Sequence, residues 1–431
     1  MWSARIVHNA LQVVWLTVAA VALIGRAGWS ADSWQVEVCE TAGLERFKYP
    51  VTGTFKVDGA AGGESFFELR DDAGPVPAQF TRLSEPGTDD PALWSIDFHV
   101  DLAPRQTREL TIVCRSGGED KRPKRGLSIE RTRGQFHVRH PSLAFVVAED
   151  LSGFLTGIDV AGEAWLADPA GGLRAKLRTG KSVPLVAPSG DERSGVRVIK
   201  SGPLAAQLEF TGRMSDEHGS GDWRVVLGFP LGKSWVRADC TLDDASDTVE
   251  AIEASARFRL TAVPRKPVLA DVGANGWTYA ALRNSETVAF QAGPRDVDAP
   301  RQAPDTWRVD RVIDQRIVPF VLPENTRDGP PPQGWAHLMD QTRCAAIAVD
   351  RFAEATRDSI ELSADGTVLL RRAFQPESAT AARAAPKRFA FWLHVVYSPP
   401  QFGAATSPQS MQMPPVVRID PVAADRPSSN N

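Results

Sequence analysis

The stretch Leu204–Leu242, LAAQLEFTGRMSDEHGSGDWRVVLGFPLGKSWVRADCTL, decides the fold. Apolar or small residues occupy every second position in three segments of it, from Leu204 to Phe210, from Trp223 to Phe229 and from Val236 to Leu242. A period of two is typical of β-strands that bury one face. The segments SDEHGSGD and PLGKS between them are rich in turn-forming residues, so we predict consecutive antiparallel strands.

The segment that follows repeats this pattern. Apolar residues alternate with polar ones from Ile252 to Leu260, and Arg257 and Arg259 belong to the polar set. We predict that this is a fourth strand of the same sheet. That sheet then has one buried face and one polar, Arg-rich face, and the polar face is the candidate functional surface.

Strand patterns also dominate the rest of the sequence, whereas helical periodicity is nearly absent. We predict an all-β protein with a small N-terminal β-barrel over 34–115 and a large antiparallel β-sandwich over 126–398. The polar segment 115–125 is interpreted as a linker between them. The tail 399–431 is rich in Pro, Ser, Gln and Ala, and we predict that it is disordered.

The N-terminal sequence resembles a targeting segment. Arg5 precedes an apolar run from Ala10 to Ile24, and small residues follow it, which is the layout of a secretory signal over 1–31. The run is shorter than the roughly 20 residues of a membrane span, so cleavage is favoured over retention as an anchor. We therefore expect an extracytoplasmic protein, periplasmic or secreted, with no membrane contact after cleavage. The net charge of −4 is spread along the chain and indicates no nucleic-acid partner. The oligomeric state is left open.

Export gives the four cysteines a possible structural role. Cys39 and Cys114 fall in the first and last predicted strands of the small domain, and we predict a disulfide between them. Cys240 and Cys344 lie on apolar faces and are either buried thiols or a second bridge. No spacing of Cys and His typical of a metal site occurs, and no phosphate-binding loop or serine-hydrolase motif is found, so neither a metal nor a cofactor is predicted.

Several segments resemble the exo-rhamnogalacturonan lyase family that includes the YetA-like proteins. They include FELRDDAGPVPAQF at 67–80, LGFPLGKSWVRADCTLDD at 227–244 and GWAHLMDQTRCAAIAVDRFAE at 334–354. The resemblance implies a RIFT-type barrel followed by a sandwich of the galactose-mutarotase-like supersandwich type. Family members continue into an (α/α) toroid domain, whereas this sequence continues into a Pro-rich tail. An active site that needs the toroid is therefore not expected from this chain alone.

The polar face of the central sheet supplies the main candidate site. Alternation places Trp235, Arg237 and Asp239 together on that face, and Arg257 is expected on the neighbouring strand. An indole can stack on a sugar ring while a guanidinium pairs with a carboxylate, so we predict a shallow groove that binds an acidic sugar. Cross-strand ion pairing, for example Arg237 with Glu253, is the competing explanation.

A second candidate lies in the segment GWAHL, where Trp335 and His337 share one face of a predicted strand. An aromatic ring beside an imidazole can form a platform for a sugar. The alternative is that both residues belong to the core.

These residues favour an exported, carbohydrate-associated protein, a binding or accessory module for an acidic oligo- or polysaccharide. The alternative is an active polysaccharide lyase or an epimerase-like enzyme that acts on uronate-containing glycans. A structural scaffold that contacts another protein is the third possibility. The sequence leaves open whether the protein is an enzyme, and no residue is assigned a catalytic role.

Overall fold

The computed structural model describes residues 33–57, 65–84, 91–116, 126–140, 142–167, 171–187, 195–216, 219–260, 266–273, 278–283, 285–292, 307–321, 332–352, 357–375, 386–397 and 408–422. The predicted leader at 1–31 lies outside these residues, as does nearly all of the predicted linker. Within them, no helix is long and apolar enough to cross a membrane.

The N-terminal part forms a small domain of two packed sheets. Its strands are β1 (Ser33–Cys39), β2 (Arg46–Val57), β3 (Ser65–Asp71), β4 (Gly74–Val76), β5 (Ala78–Arg82), β6 (Ala92–Leu102) and β7 (Thr107–Ser116). The three-stranded sheet has the order β2-β6-β5, and β1-β7-β3-β4 pair in the other. Buried aromatic and aliphatic side chains such as Phe55, Ile96 and Phe98 fill the space between the sheets.

A flanking sheet follows, with strands β8 (Ser128–Thr132), β9 (Gln135–His140), β10 (Leu143–Ala148), β11 (Gly157–Val160) and β12 (Glu163–Ala164). The remaining strands build the large sandwich, and they are β13 (Gly172–Leu177), β14 (Ser182–Pro184), β15 (Gly195–Ser201), β16 (Ala205–Asp216), β17 (Gly219–Pro230), β18 (Trp235–Asp243), β19 (Val249–Arg257), β20 (Val268–Val272), β21 (Thr278–Leu282), β22 (Thr287–Ala292), β23 (Trp307–Ile313), β24 (Arg316–Val321), β25 (Trp335–Met339), β26 (Arg343–Val349), β27 (Ser359–Ser363), β28 (Thr367–Ala373) and β29 (Lys387–Tyr397).

The sandwich consists of a nine-stranded sheet with the order β15-β16-β17-β18-β29-β26-β25-β20-β21 and an eight-stranded sheet with the order β14-β13-β19-β28-β27-β22-β23-β24. The apolar positions predicted from alternation, among them Leu208, Val225 and Ala238, lie in the core shared by the two sheets. The all-β fold class and the antiparallel sandwich are therefore confirmed. The assignment of the small domain as a RIFT-type barrel stays a prediction.

One strand of the predicted central sheet lies elsewhere. Strands β16, β17 and β18 are neighbours as expected, but β19 pairs with β13 and β28 in the eight-stranded sheet. The chain crosses from one layer of the sandwich to the other after Asp243. The prediction that β18 and β19 share a sheet was wrong, because alternation specifies which face of a strand is buried but not which strands lie beside it.

The tail was predicted to be disordered, and for residues 408–422 this was wrong. A short helix, α1 (Pro408–Gln412), is followed by strand β30 (Val416–Pro421), which pairs with β1 at the edge of the small domain's second sheet. We call residues 408–421 the strap. Met411 of the strap is 1% exposed, so tertiary packing holds a segment whose composition is typical of disorder.

The predicted disulfide is also absent, because neither Cys39 nor Cys114 is part of a disulfide. Strands β1 and β7 are adjacent as expected, but Cys39 lies opposite Thr107 and Cys114 pairs with Phe67 on the other side of β7. Seven residues of an extended strand separate Thr107 from Cys114, roughly 23 Å. A disulfide requires Cα atoms within about 7 Å, so the register excludes this bridge.

Candidate functional site

A cleft of about 430 Å³ lies between the small domain and the polar face of the nine-stranded sheet. The small domain contributes residues of β2 and β6, and the sandwich contributes residues of β16, β17, β18 and β29. Met411, Pro414, Pro415 and Val417 of the strap complete the lining. The cleft is therefore formed by parts of the sequence that lie far apart, and its geometry depends on how the two domains dock.

Two sets of buried polar contacts fix this docking. The Gln79 side chain accepts hydrogen bonds from the backbone N–H groups of Leu204 and Ala205 at 2.9 and 3.0 Å, and it donates one to the Ala205 carbonyl at 2.9 Å. The Lys200 ammonium lies 2.9 Å from both carboxylate oxygens of Asp97. Buried polar groups that are fully paired hold one arrangement, because any displacement leaves a donor or a charge without its partner.

The strap also joins the two domains. The amide of Gln412 donates to the Val349 carbonyl in the sandwich at 2.7 Å. The carbonyl of Ser410 accepts hydrogen bonds from Arg46 at 2.8 Å and Tyr49 at 2.7 Å in the small domain. One short helix therefore bonds to both domains.

Trp235 does not lie on an open sugar-binding surface, which corrects the prediction from the sequence. Alternation places it on the polar face of the sheet, but the small domain covers this part of the face, and Trp235 is only 4% exposed. Its ring lies 6.0 Å from the Tyr49 ring and is perpendicular to the His394 ring at 5.6 Å. Trp235 is thus mainly a packing residue at the domain interface, with one edge at the base of the cleft.

Arg237 and Asp239 lie on the cleft wall, each with 42% of its side chain exposed. The Arg237 guanidinium lies 2.7 Å from Asp239 Oδ1 and 4.9 Å from the centre of the Trp392 ring. The strand register explains the position of Trp392, because β18 pairs with β29 and Arg237 lies directly opposite Trp392. A cation is thereby held over an indole at the edge of an open cleft.

Arg257 does not belong to this group. It lies on β19 in the eight-stranded sheet, where its guanidinium is 3.5 Å from Asp365 and 43% of its side chain is exposed. The prediction that Arg257 joins Trp235, Arg237 and Asp239 in one groove was therefore wrong. The competing ion pair between Arg237 and Glu253 is wrong as well, because Glu253 also lies on β19 and its carboxylate is near Arg371.

Trp335 and His337 do share one face of β25, and their rings are 5.2 Å apart. They do not form an open platform. His337 is 1% exposed and contacts Asp271 at 3.4 Å, and the indole N–H of Trp335 donates to Gln333 at 2.7 Å. Both residues lie outside the cleft lining. The environment of His337 corresponds to the core alternative, whereas Trp335 is partly buried and packs against the core.

The cleft contains polar groups that the sequence reasoning did not single out. Asp97 accepts a hydrogen bond from Thr52 at 2.7 Å in addition to its contact with Lys200. His99 lines the cleft, and its Nε2 lies 3.1 Å from the Leu231 carbonyl. Burial, the main cause, lowers the pKa of His99, and the nearby Lys233 lowers it further. His99 is therefore neutral at neutral pH.

Arg237 and Asp239 give the cleft wall one charge of each sign, and Asp350 interacts electrostatically with both. Burial raises the pKa of Asp350, although Arg237 and Arg372 oppose this effect. Burial also raises the pKa of Tyr49 to about 12, so its phenol stays protonated and donates to Ser410. In the part of the chain that the structure describes, no group of three His, Cys, Asp or Glu side chains is arranged to hold a metal ion.

Comparison with known proteins gives a likeness of fold. No family model matches the sequence, and no curated protein matches it. A glycosyl hydrolase family 38 protein from Enterococcus faecalis aligns with a TM-score of 0.51 and 12% identity, over 91% of this chain and 47% of that chain. An alpha-mannosidase from Enterococcus faecalis V583 aligns with a TM-score of 0.52 and 12% identity, over 91% of this chain and 46% of that chain.

A galactose mutarotase-like protein from Lactobacillus casei ATCC 334 aligns over 61% of this chain and 100% of that chain, at 13% identity and a TM-score of 0.33. At such low identity, the two Enterococcus alignments show a shared fold alone. This chain spans about half the length of those two proteins. Activity and ligand therefore have to be argued from the residues of the cleft.

Proposed function

We propose that the protein is an exported carbohydrate-binding or accessory protein whose interdomain cleft holds an acidic oligo- or polysaccharide. The observation that carries this proposal is the group formed by Arg237, Asp239 and Trp392 at the open cleft. A guanidinium is planar and offers paired N–H donors, which match a sugar carboxylate. Asp239 can accept hydrogen bonds from sugar hydroxyl groups beside it.

The shared fold is consistent with this proposal. The matched solved structures are described as a glycosyl hydrolase family 38 protein and an alpha-mannosidase, both of which are carbohydrate enzymes by description. Export and membership in the rhamnogalacturonan lyase family rest on the sequence patterns alone and are part of the proposal.

Titration calorimetry with a uronate trisaccharide and a neutral trisaccharide tests the binding function. We expect the wild type to prefer the uronate and the Arg237→Gln variant to bind it about tenfold more weakly, the effect of losing roughly 1.4 kcal/mol. Arg257→Gln is a matched control, since its side chain has nearly the same exposure and also pairs with an aspartate. Equal affinity for both sugars, or equal losses in both variants, contradicts the proposal.

One observation favours the enzymatic alternative, which is the neutral imidazole of His99 in the cleft. If Nε2–H donates to Leu231, Nδ1 has a free electron pair and can act as a base. In a β-elimination, Nδ1 takes the proton at C5 of a uronate while Arg237 neutralises the carboxylate. The C4–O bond breaks, a C4=C5 double bond forms, and the leaving oxygen takes a proton from water; the imidazolium then returns its proton to solvent. An absorbance assay for unsaturated uronates tests this. Product from the wild type but not from His99→Gln supports a lyase, and binding without product supports the module.

A further inference from the structure

The polar face of the nine-stranded sheet continues beyond the cleft, and the strand register shows which residues lie there. Arg197, Glu209, Val226, Asp239 and Ala390 form one row across β15, β16, β17, β18 and β29. Residues directly opposite each other in antiparallel strands project from the same face. The row therefore leads from Asp239 at the cleft wall to the outer strand β15.

The next row on the same face is formed by Thr211, Arg224, Thr241 and Arg388. Asp239 and Thr241 are two residues apart on β18, so both rows project from one side of the sheet. The opposite side carries Cys240 and Phe389, which are buried in the sandwich core. Arg388 and Arg224 are separated by one intervening strand, about 10 Å between backbones.

The arginines of these rows are accessible. Arg197 and Arg224 both contact the Glu209 carboxylate, and their side chains remain 65% and 52% exposed. Arg388 is exposed on β29. The side chains between these arginines are short, so none of them blocks the space between the guanidinium groups. They are Thr211, Val226, Thr241 and Ala390.

In these two rows the guanidinium groups outnumber the carboxylates, although the whole chain carries −4. The following row on the same face adds one guanidinium and two carboxylates, from Arg213, Asp222 and Asp243. With Arg237 included, four guanidinium groups face the two carboxylates of Glu209 and Asp239. Glu209 is shared by two arginines, so it neutralises only one of them. Both arginines that contact Glu209 keep more than half of their side chain exposed, so the remaining N–H donors of these guanidinium groups are available to a ligand.

We propose that Arg197, Arg224 and Arg388 extend the cleft into a binding path for the interior of an anionic polysaccharide chain. The inference rests on the proposed function and specifies its ligand, a polymer with repeated negative charges rather than a single terminal sugar. One sugar carboxylate lies at Arg237, and successive ones lie along the two rows. Each added contact raises the effective affinity of the chain, because the first contact already holds it near the surface.

The test compares a uronate trisaccharide with a uronate decasaccharide in titration calorimetry. The proteins are the wild type, the Arg224→Gln/Arg388→Gln double variant, and an Arg174→Gln/Arg257→Gln control on the outer face of the eight-stranded sheet. We expect the wild type and the control to bind the decasaccharide at least tenfold more tightly than the trisaccharide. The Arg224→Gln/Arg388→Gln variant should lose this gain and bind the trisaccharide like the wild type. Thermal unfolding checks that all three proteins are folded.

Each of the following outcomes would contradict the proposed binding path. Wild-type binding of the trisaccharide without any gain for the decasaccharide refutes the path and leaves the cleft function standing. An equal chain-length gain in the Arg224→Gln/Arg388→Gln variant also refutes it. If the wild type binds neither sugar, the proposed function and the path fail together. A single-stranded DNA decamer is included, and arginine-dependent binding of DNA without binding of uronates identifies a different polyanion and overturns the proposal.

Discussion

Lys200 of the sandwich and Asp97 of the small domain form a buried ion pair, with the ammonium 2.9 Å from both carboxylate oxygens and side chains only 3% and 5% exposed. The same ammonium lies 2.7 Å from the hydroxyl of Ser95. Asp97 lines the cleft, so the pair both connects the domains and forms part of the candidate site.

We expect Lys200→Met to lower the free energy of unfolding by about 3–5 kcal/mol, because it leaves the Asp97 charge buried without its partner. Urea unfolding measures this change. The Lys200→Met/Asp97→Asn double variant should recover much of the loss, since no uncompensated charge remains. If the single and double variants are equally destabilised, the loss comes from packing and the ion pair does not control docking.

The strap gives a second prediction, which compares two methionines of the same segment. Met411 is 1% exposed and packs in the core of the small domain, whereas Met413 is 42% exposed. We expect Met411→Ala to cost about 2–5 kcal/mol of unfolding free energy by leaving a cavity. Met413→Ala should change it by less than about 0.5 kcal/mol. Similar effects of both substitutions in thermal or urea unfolding would show that the strap does not hold the domains together.

Much of the sandwich could be predicted from the sequence, because the burial of one face imposes a period of two on each strand. This period correctly placed Leu208, Val225 and Ala238 in the core. It also placed Arg237 and Asp239 together on the opposite face. It could not assign β19 to a sheet, since a strand has the same alternation in either layer of a sandwich.

The candidate site was harder to predict because it depends on contacts between distant segments. Alternation correctly predicts that Trp235 points away from the sandwich core. Nothing in its local sequence indicates that Tyr49 packs against it. The tail is similar, since Met411 is ordered by packing rather than by local propensity. The Cys39–Cys114 disulfide was wrongly predicted for a related reason. The sequence indicated that the two strands are adjacent, but it did not indicate their register.

A third prediction concerns the close approach of Gly202 to Gln79. A Cβ atom at Gly202 would lie 2.4 Å from Gln79 Cδ, which is shorter than any van der Waals contact of a Cβ atom. Gln79 is 2% exposed and bonded to Leu204 and Ala205, so it has no room to move away. We expect Gly202→Ala to displace the Gln79 amide and cost about 1–3 kcal/mol.

Hydrogen exchange is the decisive measurement for this variant, because the Leu204 and Ala205 amides lose their acceptor when Gln79 moves. Faster exchange of these two amides is expected in Gly202→Ala. The control is Gly195→Ala on β15, where an added Cβ meets no atom within 4 Å. Unchanged protection of the two amides in Gly202→Ala would show that the Gln79 contact is not rigid.

The last prediction is a loss of stability in acid that originates at His394. Burial, the main cause, lowers the pKa of His394 to about 3 together with the nearby His337 and Lys233. Because of this low pKa, the imidazole is neutral in the folded protein. Its Nε2 lies 2.9 Å from the Ser234 hydroxyl, and its ring lies against the ring of Trp235. The unfolded chain takes up a proton at this residue below about pH 6.5. Stability from this group is therefore present above pH 6.5 and is lost as the pH falls towards 3, on the order of 3 kcal/mol by pH 4.

Urea unfolding of the wild type and His394→Gln at pH 7 and pH 4 measures this effect. Glutamine can keep a hydrogen bond to Ser234 but does not titrate, so the variant should lose less stability between the two pH values than the wild type does. His140→Gln, on β9 of the flanking sheet, serves as the control and should retain the wild-type loss. If the wild type and His394→Gln lose equal stability in acid, the buried imidazole under the small domain is not the group that titrates, and the acid sensitivity arises elsewhere.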